Sequence, residues 1–292
     1  LPNIDEVKRM AYAAPKIRGW KTAIELELGR ILCRRKTLLD QAMRYAVLRG
    51  GKRFRPLLSL AAGDAFGASP GTILPFACGI ELIHNSSLIH DDLPSMDDDD
   101  FRRGRPSCHS AFGEDIALLA GDALLILAFE VMAAADVPRR LGGRKSQAIL
   151  ETARLAGVQG MIGGQLLDIT FSAENAAEQS FEELMLKKTG ALIVASIRSG
   201  ALLGGASPAK LKTVTVFGEH IGLAFQIRDD VHDAADGGGK AASPGPNYAL
   251  AIGMDRARER LAWHVRAGIE ALDKAGIKSP ELRSLASQLL KR

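Results

Sequence analysis

Six aspartates and three arginines crowd the stretch HDDLPSMDDDDFRRGRPSCH, which runs from His90 to His109. The acids are Asp91, Asp92 and Asp97 to Asp100; the bases are Arg102, Arg103 and Arg105. Carboxylates this close repel and raise one another's pKa unless cations neutralise them. A solvated acidic loop needs no arginines, and a nucleic-acid patch would avoid the aspartates. The simplest resolution sets metal ions against the acids and an anion against the arginines. The spacing is DDxxxxD, through Asp91, Asp92 and Asp97. If a helix runs to about Leu93, then His84, Leu88 and Asp91 share one face at i, i+4 and i+7. Pro94 then turns the chain, so that Asp97 can swing back toward Asp91. Two converging carboxylates with water suit magnesium, a hard cation whose shell substrate phosphates often complete. Taken alone, the motif still has a bland alternative in a solvated acidic loop.

A second motif shifts that balance. In FQIRDDVHD, Gln226, Asp229, Asp230 and Asp233 fall at i, i+3, i+4 and i+7, one stripe of a helix. An exposed acidic helix face is common, but Phe225, Ile227 and Val231 flank this one. Two acidic faces turned into one bundle would bury a pile of negative charge, tolerable only with metals between them. The bases complete the pattern. Lys52, Arg53 and Arg55 follow the double glycine of RGGKRFRP, Arg102 and Arg103 follow the first acids, and Lys188-Thr189 precede Gly190. Arginine's planar fork suits phosphate oxygens. Metals for one diphosphate and bare cations for a second account for both sets. Each basic cluster by itself reads as a solvated face, and His84 by itself as a core histidine.

These residues need elements to hold them, and helical patterns recur. LLDQAMRYAVL (38–48) spaces its apolar residues at three and four before Gly50-Gly51. Residues 71–93 form a long apolar pattern that Pro94 should end. Segments near 114–135, 144–171, 180–203, 208–236 and 250–273 read as helices too, with KTVTVF (212–217) taken as helix despite its alternation. GGGKAASPGPN (237–247) is a loop. The expectation is an all-α fold in a single domain over 1–292.

Bulk properties agree. Apolar residues make up 47% of the 292, enough for a sizeable core, with aromatics at 5%. The net charge of +4 mixes 38 bases with 34 acids, which gives little support to nucleic-acid binding. Cys33, Cys78 and Cys108 are scattered without metal-ligand spacing, so a reduced, cytoplasmic protein is expected. No apolar run is read as long enough for a membrane span.

RGGKRFRP, LIHDDLPSMDDDDFRRGRPSCH, GGQLLD (163–168), KTG (188–190) and FQIRDDVHD together resemble the trans-isoprenyl diphosphate synthases. They come in that family's order from about residue 40 to 250, and the DDxxxxD form is similar to bacterial and plant farnesyl and geranylgeranyl diphosphate synthases. The resemblance implies the isoprenoid synthase fold, a bundle of roughly ten or more helices around a deep central cavity, and a Mg2+ cluster on Asp91, Asp97 and Asp229, with Asp92, Asp168, Asp230 and Asp233 as supporting acids. It implies that an allylic diphosphate (dimethylallyl, geranyl or farnesyl) sits against these metals, Arg102, Lys188 and Lys240. Isopentenyl diphosphate would lie on Lys52, Arg55, His84 and Arg103 without metal. Lys188, Thr189 and Gln226 would face the ionising centre, and the released pyrophosphate would take the proton, so no dedicated base is expected.

One departure concerns the loop after the second motif. GGGKAASPGPNY keeps Lys240 but is shorter than the family's usual loop, which puts the role of Lys240 in doubt. A terpene cyclase has no use for RGGKRFRP. A non-catalytic partner subunit generally lacks one acidic motif, whereas this chain has both. Product length turns on Ser86. Five residues before Asp91, it would lie about 7.5 Å deeper along a helix. Farnesyl-making relatives often carry an aromatic there; Ser86 and Ser87 are small, so the tail should reach a floor near Ile83 or Phe129 and favour geranylgeranyl diphosphate. A homodimer is also expected, with the apolar residues of 114–135 as a candidate interface, although an internal core helix would show the same pattern.

Overall fold

The computed structural model describes residues 4–33, 36–172, 177–235 and 246–291, with side chains from residue 13 onward. Fourteen α-helices stand among the described residues. In chain order they are α1 (Ile4–Ile31), α2 (Leu38–Val47), α3 (Phe54–Ala65), α4 (Pro70–Asp91), α5 (Cys108–Phe112), α6 (Glu114–Ala134) and α7 (Gly142–Ala156). There follow α8 (Met161–Thr170), α9 (Glu178–Met185), α10 (Ala191–Leu203), α11 (Pro208–Ala235), α12 (Tyr248–Ile252), α13 (Met254–Lys274) and α14 (Pro280–Ser287). The all-helical expectation holds, and KTVTVF lies inside α11.

Local chemistry explains the boundaries. Thr37 and Asp40 form a reciprocal capping box at the start of α2. Ser69 caps α4 with Pro70 at its first turn, where a missing amide costs nothing. The helix expected over 144–171 is broken at Gly157–Gly160, and that over 250–273 at Gly253, whose φ of +91° a side chain would resist. The helix expected over 180–203 carries a π-helical segment at Leu186–Gly190. Two short strands, β1 (Phe101–Arg102) and β2 (Arg105–Pro106), were not anticipated. Arg103 and Gly104 join them at φ +54° and +72°, the two positive values of a type I′ hairpin turn.

α4 packs on α3, α6 and α10, while α11 runs between α10 and α13. Their facing sides form one apolar core, with Ile73, Phe76, Ile80, Ile83, Ile193, Ile197, Phe217 and Ile221 fully buried. Both acidic motifs therefore ride on central helices at the edge of that core. Two helices correct the expectation of no span-length apolar segment: α4 and α6 are long and apolar enough to cross a membrane by length and composition. α4 is two-thirds buried inside the bundle. α6 is less covered, with Leu119 53% and Ile126 69% exposed on its outer side.

Candidate active site

A cavity of about 1030 Å³ opens between α3, α4, α8 and α11. His84, Leu88 and Asp91 reach it from one face of α4, as the i, i+4, i+7 spacing requires. The chain then doubles back: the amide of Asp97 donates to the carbonyl of Asp91 at 2.9 Å, and that of Asp98, at φ +53°, to Leu93 at 3.2 Å. Asp97 thereby enters the same wall. Across the cavity stand Gln226, Asp229 and Asp233 from α11.

The neighbours of each motif turn in other directions. Asp92 is 2% exposed and held by Arg102, whose Nε donates to both carboxylate oxygens at 2.6 and 2.8 Å and whose Nη2 pairs with Oδ1. It fixes the arginine that lines the cavity rather than facing the cavity itself. Asp230 accepts from Gln226 Nε2 at 2.8 Å and from the Tyr248 amide at 2.9 Å, and Gln226 Oε1 in turn accepts from Thr189 Oγ1 at 2.6 Å. Lys188 pairs with Asp168. Lys188, Thr189, Gln226 and Asp233 line both the main cavity and a smaller one of about 220 Å³ behind it, where Asp168 and Asp230 also lie. The π segment that carries Lys188 and Thr189 lies hard against α8. A Cβ on Gly164 would sit 2.2 Å from the Lys188 nitrogen, so only glycine permits the approach.

Charge is distributed unevenly. Burial, reinforced by Asp97, pushes Asp91 up to about 7 despite Lys188 and Arg102. Burial likewise raises Asp97 and Asp229. On the other side, burial and then Arg55 and Arg103 hold His84 well below the usual imidazole range, so it is neutral and its Nε2, 3.4 Å from Arg55 Nη1, is the acceptor. Arg55 is 8% exposed, packs over the Phe225 ring, and its Nε has no hydrogen-bond partner. Lys52 and Arg103 line the same wall, and Arg103 donates to the Gly50 carbonyl at 2.7 Å. Carboxylates whose charge burial opposes face a cluster of cations.

The carboxylate side fits magnesium. Its donors are all hard oxygens, their charge is opposed by burial, and among the described residues no three acidic, His or Cys side chains cage a metal alone. Such a set binds through one or two carboxylates per ion, with water and phosphate oxygens completing the shell. Ser86 and Ser87 line the cavity, as expected. The floor is different. Ile83 is fully buried in the core and Phe129 packs against it; the cavity wall instead takes Leu125 from α6, one turn before Phe129, and Met161, Ile162 and Leu166 from α8. Lys240 lies outside the described residues.

Gln165 was missed by the sequence reasoning. It lines the cavity, and both polar atoms of its amide are buried without partners. Its place in GGQLLD was the available signal. The pH response of stability follows from these carboxylates. Asp91, ordinarily near 3.8 and raised here to about 7, contributes most to stability in acid, below 3.8, and loses that contribution as pH rises through 7. Asp91→Asn should therefore raise the melting temperature of the metal-free protein at pH 8 and leave it unchanged near pH 3.5, in thermal scans with EDTA. Equal shifts at both pH values would contradict the assignment.

Helices that set two aspartate motifs face to face across a deep cavity place the chain in the isoprenoid synthase fold. An FPP/GFPP synthase structure from Zymomonas mobilis superposes with a TM-score of 0.85 at 32% identity, covering 96% of this chain and 99% of that one. The model of the family described as polyprenyl synthetase matches residues 36–244. The chain belongs to the polyprenyl synthetase family, and its class of activity is trans-prenyl transfer. The farnesyl diphosphate synthase of Geobacillus stearothermophilus is 39% identical over 272 residues, 90% of this chain and 92% of that one. A chloroplastic geranylgeranyl pyrophosphate synthase of Catharanthus roseus is 39% identical over 264 residues, 85% of this chain and 71% of that one. The relatives thus straddle two product lengths.

Proposed function

We propose that this chain, as one synthase domain over residues 1–292, condenses isopentenyl diphosphate with dimethylallyl, geranyl and farnesyl diphosphates and releases geranylgeranyl diphosphate. The observation that carries the reading is the arrangement of charge in one cavity, with Asp91, Asp97 and Asp229, whose charge burial opposes, set against the cluster of Lys52, Arg55 and Arg103. Two diphosphates, one with magnesium and one without, satisfy both. Farnesyl diphosphate as the end product is the second reading, favoured by the relatives of that name.

In this reading Asp91, Asp97 and Asp229 hold Mg2+, with Asp233 in support. Bound magnesium supplies Lewis-acid neutralisation of the leaving diphosphate. Lys188, oriented by Asp168, and Arg102, oriented by Asp92, add fixed positive charge where the bridging oxygen gains negative charge. Thr189 donates its proton to Gln226, which leaves the hydroxyl lone pairs free to face the allylic carbon as its bond breaks. Lys52, Arg55, Arg103 and neutral His84 hold isopentenyl diphosphate so that its double bond attacks that carbon. A new carbon–carbon bond forms, the carbon–oxygen bond breaks, and the departing pyrophosphate takes the proton.

Binding separates the two sites. Isopentenyl diphosphate should bind in EDTA, whereas farnesyl diphosphate should need magnesium, by titration calorimetry. Lys52→Ala or Arg103→Ala should weaken isopentenyl diphosphate by about tenfold to a hundredfold, as the loss of a charge-assisted bond does. Unchanged affinity in both variants would refute the cationic site.

The proposed assembly is a homodimer through the exposed apolar side of α6, and the proposed location is the cytoplasm, consistent with three free cysteines. Sedimentation at working concentration should give twice the chain mass. A monomer would contradict the interface.

A further inference from the structure

Arg53 stands between two residues assigned to substrate, yet it points the other way. Its side chain is fully buried, and four of its donor contacts are filled. Nε and Nη2 grip Glu25 at 2.8 and 3.1 Å, Nη1 donates to Glu81 at 2.7 Å, and Nη2 also to the Val47 carbonyl at 2.7 Å. These partners lie on α1, on α4 and at the end of α2. Glu81 sits one helical turn before His84.

The backbone at Arg53 is unusual as well. At φ +52°, ψ +35° it is left-handed, a conformation that a residue with a Cβ resists, and it caps α3 without a side-chain hydrogen bond. No side-chain cap hydrogen bond holds that geometry, whereas the buried fork ties the residue to Glu25, Glu81 and the Val47 carbonyl. Gly50 and Gly51 precede it at positive φ, and a Cβ on Gly51 would meet the Arg103 guanidinium at 3.0 Å. The turn therefore places Lys52 before the reversal, Arg55 after it and Arg103 against its glycines.

We propose that Arg53 is the positioning residue of the metal-free diphosphate site. Its fork, clamped by Glu25 and Glu81, fixes the reversal from which Lys52 and Arg55 enter the cavity and ties both to the helix that carries His84. This rests on the assignment of isopentenyl diphosphate to that site. Glu25 extends the control to α1, which also places Lys21 on the cavity wall.

A second arginine fork, half-buried, provides the control. Arg198 grips Glu151 at 2.8 and 2.9 Å and lines neither cavity, so its loss should cost stability without touching substrate. Steady-state kinetics with each substrate varied would be measured on Arg53→Lys, Glu25→Gln, Arg198→Lys and Lys52→Ala. Lysine keeps the charge of Arg53 but cannot reproduce the fork. The expected result is a rise of at least about tenfold in the KM for isopentenyl diphosphate in Arg53→Lys. Glu25→Gln should show a smaller rise, and Arg198→Lys none. The KM for the allylic primer should stay within about twofold in Arg53→Lys and Glu25→Gln. If Arg53→Lys does not fold, Glu25→Gln, which leaves the Glu81 contact intact, decides. A normal isopentenyl KM in the folded variants, while Lys52→Ala raises it, would overturn the role of Arg53 and leave the site standing. A normal KM in Lys52→Ala as well would overturn the site assignment, and this inference with it.

Discussion

Asp91→Ala and Asp229→Ala are each expected to lower turnover at least about a thousandfold while the protein stays folded. The two residues sit on different helices, so each variant removes one face of a single charge arrangement. Neither carboxylate has a packing role. Asp91 is opposed by burial and by Asp97, and Asp229 is opposed by burial despite its neighbour Arg228 at 3.3 Å. Losing either removes a partly buried charge from the metal-free protein and, in the proposed function, a ligand from the magnesium-loaded one. Stability and activity should therefore move in opposite directions. Asp92→Ala should behave differently: it removes the buried partner of Arg102, leaving it the more exposed Asp99 at 3.7 Å, so stability falls together with activity. Single-turnover rates with magnesium and thermal scans with EDTA would separate these cases. Near-normal activity in either Asp91→Ala or Asp229→Ala would contradict the two-motif metal site.

Ser86→Tyr is expected to switch the product from a twenty-carbon to a fifteen-carbon diphosphate without slowing the first condensation. Ser86 is 2% exposed and lines the cavity on α4, five residues from Asp91, or about 7.5 Å along the axis. Each isoprene unit must pass this level after the second addition. A tyrosine ring directed into the cavity would fill the space between α4 and the apolar wall from α8. The reacting carbon lies above that level, so chemistry is spared. Thin-layer analysis of labelled products would show the change; unaltered chain length in a folded Ser86→Tyr would move the ruler to another helix, with Leu125 and Met161 the next positions to enlarge.

The stretches that repeat every three or four apolar residues were legible as helices, because burial of one face dictates both pattern and structure. The interruptions were less so. Gly157–Gly160 and Gly253 carry no proline, and glycine alone is tolerated inside helical patterns, so the positive φ of Gly253 has no separate mark in the sequence. The hairpin at Phe101–Pro106 is too short for periodicity to register. Its one signal was Gly104, and Arg103 takes its positive φ from the turn rather than from any preference of its own.

The site was legible as a set of residue types, but not in the division of labour within each pair. Asp91 and Asp92 differ by one position, or about 100° around a helix. One faces the cavity and the other packs on Arg102, a distinction that depends on where β1 places that arginine. Asp229 and Asp230 divide in the same way, with Tyr248 taking the second. Arg53 looked like one more base of RGGKRFRP because Glu25 and Glu81, its partners, lie 28 residues away in either direction.

The central claim is that one cavity joins a metal-bound allylic diphosphate to a metal-free isopentenyl diphosphate and lets the tail pass Ser86. Incubating the protein with radiolabelled isopentenyl diphosphate, magnesium and each allylic primer, and resolving the products by chain length, tests it most directly. Label should accumulate in geranylgeranyl diphosphate from all three primers and vanish with EDTA. Label that stops at farnesyl diphosphate would contradict the open path at Ser86, and label that never leaves isopentenyl diphosphate would contradict the two-site reaction itself.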